Sequence, residues 1–245
     1  MAAGLSFIGC AGWSLSRAVQ PRFPPEGSHL QRYAGRFNAV EINSSFYRPH
    51  ARATYERWAG DVPEGFRFSV KLPRGITHER RLAGCGPELD GFVQQVAGLG
   101  ARLGVLLVQL PPSLAFEPAT VRAFAQQLRS RHAGPVAVEP RHTSWFEPGV
   151  DALLRDLQWS RVLADPVLHE AGRWPGGWPQ RVYLRLHGSP RMYYSAYEPA
   201  LLQALAWRIV QALDQGIEVW CIFDNTAAGA AVGDGLALVQ ALAAR

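Results

Sequence analysis

Lysine is nearly missing from this chain: of its 25 basic residues, Lys71 is the only lysine and the rest are arginine. Arginine enrichment on that scale follows from genomic base composition and excludes little by itself. It leaves the lone lysine unexplained, because arginine cannot substitute where a compact ammonium or an adjustable pKa is required. Cysteine is almost as scarce. Cys10, Cys85 and Cys221 are too few and too scattered for a disulfide framework or a CxxC metal site, which points to a reducing compartment. No apolar stretch approaches the roughly 20 residues that span a bilayer, and the N-terminus lacks a basic segment followed by an apolar core. The expectation is a cytoplasmic protein with no membrane partner. No linker, internal repeat or low-complexity tract interrupts residues 1–245, so a single domain is predicted. The formal net charge of +5 permits an anionic partner, either a small molecule or a nucleic acid.

What is present is a recurring unit, an apolar run that stops on a polar side chain. Val136–Val138 reads as a strand buried on both faces, because it is continuously apolar rather than alternating. Pro140 has no N–H for a sheet ladder, so the strand ends near Glu139, with Arg141, His142 and Trp145 just beyond. Similar runs occur at 38–42, 66–71, 103–108, 162–164, 181–187 and 218–223, and a first run at 5–8 ends instead in the glycine-rich turn Gly9-Cys-Ala-Gly12-Trp13. Helical patterns fill 28–36 (capped by Ser28), 51–59, 87–99, 118–131, 151–157, 199–215 and the C-terminal stretch. The link 167–180 is too rich in Gly and Pro for a helix. Eight strands alternating with helices predict an α/β fold, a single (β/α)₈ TIM-like barrel whose sixth-to-seventh connection lacks a full helix.

Several of these segments resemble one family. Ile8-Gly-Cys-Ala-Gly-Trp13, Val40-Glu-Ile-Asn-Ser-Ser-Phe-Tyr47, Phe68-Ser-Val-Lys71 with Thr77-His78, and Gln109-Leu-Pro-Pro112 are four of them. Glu139-Pro-Arg-His-Thr-Ser-Trp145 and Arg185-Leu-His-Gly188 complete the set. Together they are similar to the YecE-like proteins, also called domain of unknown function 72. The resemblance spans nearly the whole chain and implies a TIM-barrel-like fold. It implies little about the reaction, since the family is named for lacking an assigned one.

In such a barrel the strand ends form a ring around one cavity. Glu139, Glu41 and Lys71 are the candidate catalytic residues. Arg141, His142, Arg185, His187, Asn43, Tyr47, Trp145 and Asp224 are candidate substrate contacts, with Trp13, Phe46, Tyr193, Tyr194 and Tyr197 as further aromatic walls. Gly188, Ser189, Arg191 and Asn225 fall where TIM barrels often hold phosphate. Trp207 and Trp220 are expected in the core or in helix packing.

The ring predicts an enzyme acting on a phosphate-bearing or nucleotide-like substrate by carboxylate acid/base chemistry in a cationic, aromatic-lined mouth. A non-catalytic nucleic-acid binder could use the same basic, aromatic rim. A glycosidase-like carboxylate pair, Glu41 with Glu139, is a third reading. No cofactor is predicted. A divalent metal on His142, Asp165, His187, Asp224 and one glutamate is the alternative, although Lys71, Arg141 and Arg185 would crowd it. Each glutamate could also serve only to neutralise a cation of the ring, and His78 and His142 could be loop residues satisfied by backbone groups.

Overall fold

The computed structural model describes residues 4–244. Its strands run β1 (Ser6–Cys10), β2 (Ala39–Ile42), β3 (Arg67–Lys71), β4 (Leu103–Gln109), β5 (Val136–Glu139), β6 (Trp159–Arg161), β7 (Leu163–Asp165), β8 (Gly176–Gly177), β9 (Arg181–Leu186) and β10 (Glu218–Phe223). Neighbours β2 through β6 pair in parallel, in sequence order. A second parallel ladder runs β1, β10, β9, β7. Only the two-residue β8 is antiparallel, folded back on β6.

Two seams join these ladders into a barrel. At the first, β6 and β7 are halves of one stave that changes partner around Val162, whose N–H donates to Val138 O. At the second, between β1 and β2, side chains take over much of the ladder. The Asn38 amide accepts from Ile8 N at 2.9 Å and donates to Ser6 O at 2.7 Å. The Tyr33 hydroxyl accepts from Cys10 N and donates to Ala39 O. A Cβ on Gly9 would lie 1.9 Å from Ala39 O, so only glycine lets the strands approach this closely. A bridge from Ala11 to Glu41 completes the closure.

Strand side chains alternate between the two sides of the wall. Outward residues meet the helices in the larger apolar core, while Phe7, Ala39, Val105, Leu107, Ala137, Val162, Tyr183, Trp220 and Ile222 fill the interior. Continuing that inward alternation toward the carboxyl ends gives Glu41 after Ala39, Glu139 after Ala137, Arg185 and His187 after Tyr183, and Asp224 after Ile222. The same rule places Lys71 after the buried Ser69.

Helices α1 (His29–Ala34), α2 (Arg52–Gly60), α3 (Gly86–Val96), α4 (Pro118–Arg129), α5 (Pro148–Asp156), α6 (Pro199–Asp214) and α7 (Ala230–Ala243) cover the outside. Ser28 caps α1 in a reciprocal box with Gln31. The β7–β9 link holds only a single 3₁₀ turn, Glu170–Gly172, and β8, as its glycine and proline content predicts. None of the helices among the described residues is long and apolar enough to cross a membrane.

Three local expectations are corrected. The sixth stave begins at Trp159, earlier than predicted, because Trp159-Ser-Arg161 is fully buried although only its tryptophan is apolar. The stretch after β3, to which the sequence pattern assigns neither strand nor helix, contains a π-helical turn, Gly75–Glu79, which buries Ile76 and Thr77. Trp207, expected in the core or in helix packing, is 50% exposed on α6, whereas Trp220 is buried inside the barrel.

Candidate functional site

Arg185 is the hub of the mouth. Its guanidinium forks onto Glu41, with Nη2 to Oε1 at 2.6 Å and Nε to Oε2 at 2.9 Å. Nη1 reaches Glu139 Oε2 at 2.7 Å, and Nη2 also reaches Asp224 Oδ2 at 3.0 Å. One guanidinium thus ties three carboxylates from β2, from β5 and from the end of β10, the planar-fork recognition that arginine supplies and lysine does not. The Tyr183 hydroxyl lies 3.1 Å from Glu41 Oε2 and 2.7 Å from Ser69 Oγ. Both oxygens of Glu41 are therefore occupied.

Glu139 is equally saturated. Arg141 Nη2 donates to its Oε1, and His187 Nε2 stands 3.2 Å from the same oxygen. On the other side of the ring, His187 Nδ1 is 3.1 Å from Asp224 Oδ2. Burial alone would raise the Glu139 pKa, but Arg185, Arg141 and His187 together hold it well below the usual carboxylate range. Asp224 is lowered for the same reason, burial being outweighed by Arg185 and then by His187. Burial would depress His187, yet its bonds to Asp224 and Glu139 raise it. The cluster is a closed, nearly neutral network in which each charge has a partner.

Lys71 is the exception. It is 8% exposed and buried beside this network, but no carboxylate lies within salt-bridge distance and no hydrogen bond holds its ammonium. Its Nζ instead sits 4.1 Å over the Phe46 ring. Burial, and next the positive charge of Arg185, lower its pKa. Among the described residues it is the one buried Lys or Arg without an anionic partner; Arg161, elsewhere, is paired with Asp151.

The turn after β2 supports Lys71 from below. Ser45 Oγ donates at this corner, standing 2.6 Å from Lys71 O and 2.9 Å from Ile42 O, which fastens residues 43–46 to the end of β3. Asn43, at the start of the turn, faces a recess of about 410 Å³ lined by Trp13, Ser14, His29, Glu41 and Ser44.

With this geometry in view, the comparisons with known proteins agree. The model of a protein family of unknown function, DUF72, matches residues 7–245. The chain belongs to the DUF72 family. It is 30% identical over 144 residues to the UPF0759 protein YecE of Escherichia coli (strain K12), covering 58% of this chain and 51% of that protein. It is 28% identical over 148 residues to the UPF0759 protein YunF of Bacillus subtilis (strain 168), covering 58% and 52%. The matched stretches thus span about half the length of these relatives. A DUF72 family protein from Thermotoga maritima has the same fold, with a TM-score of 0.78 at 24% identity over 98% of this chain and 99% of that one. A sugar phosphate isomerase/epimerase from Parabacteroides distasonis is a more distant fold neighbour, with a TM-score of 0.53 at 10% identity over 97% of each chain.

In this DUF72 barrel, Glu41, Lys71, Glu139, Arg141, Arg185, His187 and Asp224 meet at one end, as the strand pattern predicts. Others do not join them. Trp145 is 1% exposed and gives its indole N–H to Leu114 O at 2.9 Å, so it is a core residue that cannot wall the mouth. Tyr47 is 77% exposed and lines an outer groove of about 530 Å³ with Arg74 and Phe92. His142 caps the 3₁₀ turn Thr143–Phe146, its Nδ1 accepting from Ser144 N at 3.2 Å.

The expected phosphate cradle is also spent internally. Gly188, at φ +93°, donates its N–H to the Tyr197 hydroxyl at 2.8 Å. Asn225 is fully buried, its amide donating to Ser195 O and Asp234 Oδ2. Arg191 stacks on Tyr194 at 4.0 Å, out on the surface, and Ser189 is left half-buried between them. Among the described residues no three His, Cys, Asp or Glu side chains converge in a metal-holding arrangement.

Sequence reasoning did not single out Ser69 and Tyr183, which brace Glu41. Their inward position two residues before Lys71 and Arg185 was the available signal.

Proposed function

We propose that this DUF72 barrel is an enzyme acting on a phosphate-bearing small molecule, with Lys71 as the group that meets the substrate's negative charge. The observation that carries this reading is the unpaired ammonium of Lys71, on a side chain only 8% exposed, beside a network whose other charges are satisfied. A buried cation with no partner is costly, and an incoming anion relieves that cost. Arg141, at the edge of the same network, is the second donor.

The glutamates take a different role from the one their positions first suggest. Glu139 is held ionised and has no proton to give, and both oxygens of Glu41 are already taken by Arg185 and Tyr183. They fix the field instead. Proton transfer falls to Lys71, whose lowered pKa makes its ammonium a better acid toward an oxyanion developing on the substrate. Arg185 between Glu41 and Glu139 also disfavours the glycosidase reading, which needs one carboxyl protonated and open space between the pair.

The test is conversion of a panel of phosphate monoesters and nucleotides, followed by ³¹P NMR. At least one compound should be converted, Lys71→Met should abolish both binding and conversion, and Lys71→Arg should bind but not convert. A nucleic-acid binder would behave otherwise. Polynucleotide binding unaffected by Lys71→Met, but lost on alanine substitution of Arg191 or Tyr194, would replace this reading.

A further inference from the structure

We infer that His78 is the base that works opposite Lys71, its Nε2 taking a proton from the phosphate-bearing substrate while the Lys71 ammonium gives one up. This rests on the reading of Lys71 as the anion site and supplies the other half of the proton transfer.

The two groups meet on one side chain. The Lys71 ammonium lies 4.1 Å from the centroid of the Phe46 ring, and the His78 imidazole packs against the same ring, with centroids 4.9 Å apart and planes at 80°. Lys71 ends β3, and His78 stands on the π-helical turn Gly75–Glu79 that follows. That turn is firmly seated. Ile76 and Thr77 are fully buried, and the Arg80 N–H closes it on Gly75 O at 2.9 Å. Such turns are rare and frequently found at functional sites.

The imidazole is oriented for proton abstraction. The Thr77 hydroxyl donates to Pro73 O at 3.2 Å, which leaves its oxygen to accept from His78 Nδ1, 2.9 Å away. With its proton on Nδ1, the neutral ring carries its lone pair on Nε2. Nε2 has no hydrogen bond among the described residues and is open to solvent. A base whose other nitrogen is held by a third group is the arrangement acid/base sites use. His187, the other histidine beside the network, has no nitrogen to spare, since Asp224 and Glu139 take both.

The surrounding charges keep His78 neutral. Burial, then the positive charges of Lys71 and Arg74, lower its pKa, against a smaller opposing effect from Glu79. At neutral pH the Phe46 ring is therefore flanked by a base with room for a proton and an acid with one to give.

The transfer leaves the net charge of the pair unchanged. A substrate bond to hydrogen breaks, its proton forms an N–H bond at Nε2, and its electron pair stays on the substrate. The proton released by Lys71 goes to the substrate oxygen where that charge collects. Imidazole becomes imidazolium as ammonium becomes amine, so one positive charge is present before and after. Exchange through solvent then returns the proton from His78 to Lys71.

The experiment uses the full chain, the same panel of phosphate monoesters and nucleotides, and ¹⁵N-histidine NMR. A compound that the unsubstituted chain converts should bind His78→Gln unchanged, with kcat lower by about a hundredfold or more, the usual worth of a general base. In the unsubstituted chain kcat/KM should fall as pH drops below 6.5, where the imidazole takes up its proton, and His78→Gln should lose that limb. The spectra should show the Nδ1–H tautomer of His78 at neutral pH, and Lys71→Met should move its titration to higher pH.

Undiminished kcat in His78→Gln, with conversion lost in Lys71→Met, would overturn this inference and leave the Lys71 reading standing. Should His78→Gln fail to fold, the spectra still decide. A proton on Nε2, or a titration of His78 indifferent to Lys71→Met, would overturn the inference. Conversion of no compound in the panel would overturn both.

Discussion

The two sides of the mouth are built to opposite rules. On the Arg185 side, Glu41, Glu139, Asp224, Arg141, His187 and Arg185 hold one another in a closed set of bonds between 2.6 and 3.2 Å, with a shorter contact from Arg141 to Glu139. That set leaves one gap, the Arg141 Nε, which is buried without a partner. On the Lys71 side the ammonium itself has no anionic or hydrogen-bonding partner, and the Asn43 oxygen on the turn after β2 is buried without one. Proteins bury ions only with partners and leave few polar atoms unsatisfied. The saturated half therefore has the energetics of scaffold. The unsatisfied half has those of a binding site whose ligand completes it. A ring of charged strand ends, taken whole, conceals this division.

The division can be broken most severely at Arg185. Arg185→Met leaves three buried carboxylates without their shared cation and should destabilise the fold by about 3–5 kcal/mol, the usual cost of breaking a buried ion pair. Chemical denaturation reads it directly. A loss below about 1 kcal/mol would show that the carboxylates are less dependent on Arg185 than the geometry implies.

The pH dependence separates members of the same half. Glu139 and Asp224 are lowered from ordinary values of 4.5 and 3.8, so their contribution to stability is present above those values and fades as pH falls below them. His187 is raised from 6.5, so its contribution is complete below that value and fades as pH climbs above it. Stability should therefore peak between about pH 4.5 and 6.5. His187→Gln should flatten the alkaline limb and leave the acid limb in place. An alkaline limb unchanged in His187→Gln would assign it to another group.

The smallest effects belong to the unsatisfied half. Asn43→Ala removes no bond within the protein and should change stability by less than about 0.5 kcal/mol in denaturant titrations. A larger loss would mean that the amide holds the turn after β2 and is no orphan.

Much of this was legible in the sequence, and the misses have physical causes. Eight apolar runs, every one after the first stopping on a polar residue, specify the barrel, because a parallel strand buried on both faces leaves few alternatives. Period-two alternation then carries Glu41, Lys71, Glu139, Arg185 and Asp224 to one end. Pairing within the ring is a different matter. Nothing in the one-dimensional pattern distinguishes Arg185, which takes three carboxylates, from Lys71, which takes none, because that depends on side-chain length and position across the barrel. The loops were the least legible. Trp145 follows a strand end as Asn43 does, but its chain turns inward and buries the indole. Gly188 and Asn225 carry phosphate-site chemistry, but Tyr197, Ser195 and Asp234 claim it first.

The central claim is that Lys71 is kept unpaired for a ligand, and Lys71→Met tests it most directly through two readings on one variant: thermal unfolding, and affinity for inorganic phosphate by calorimetry. Removing a buried cation that has no protein partner should leave the unfolding temperature unchanged or raise it, while phosphate binding falls by about tenfold or more. A fall of several degrees in unfolding temperature, or phosphate affinity equal to that of the unsubstituted chain, would contradict it.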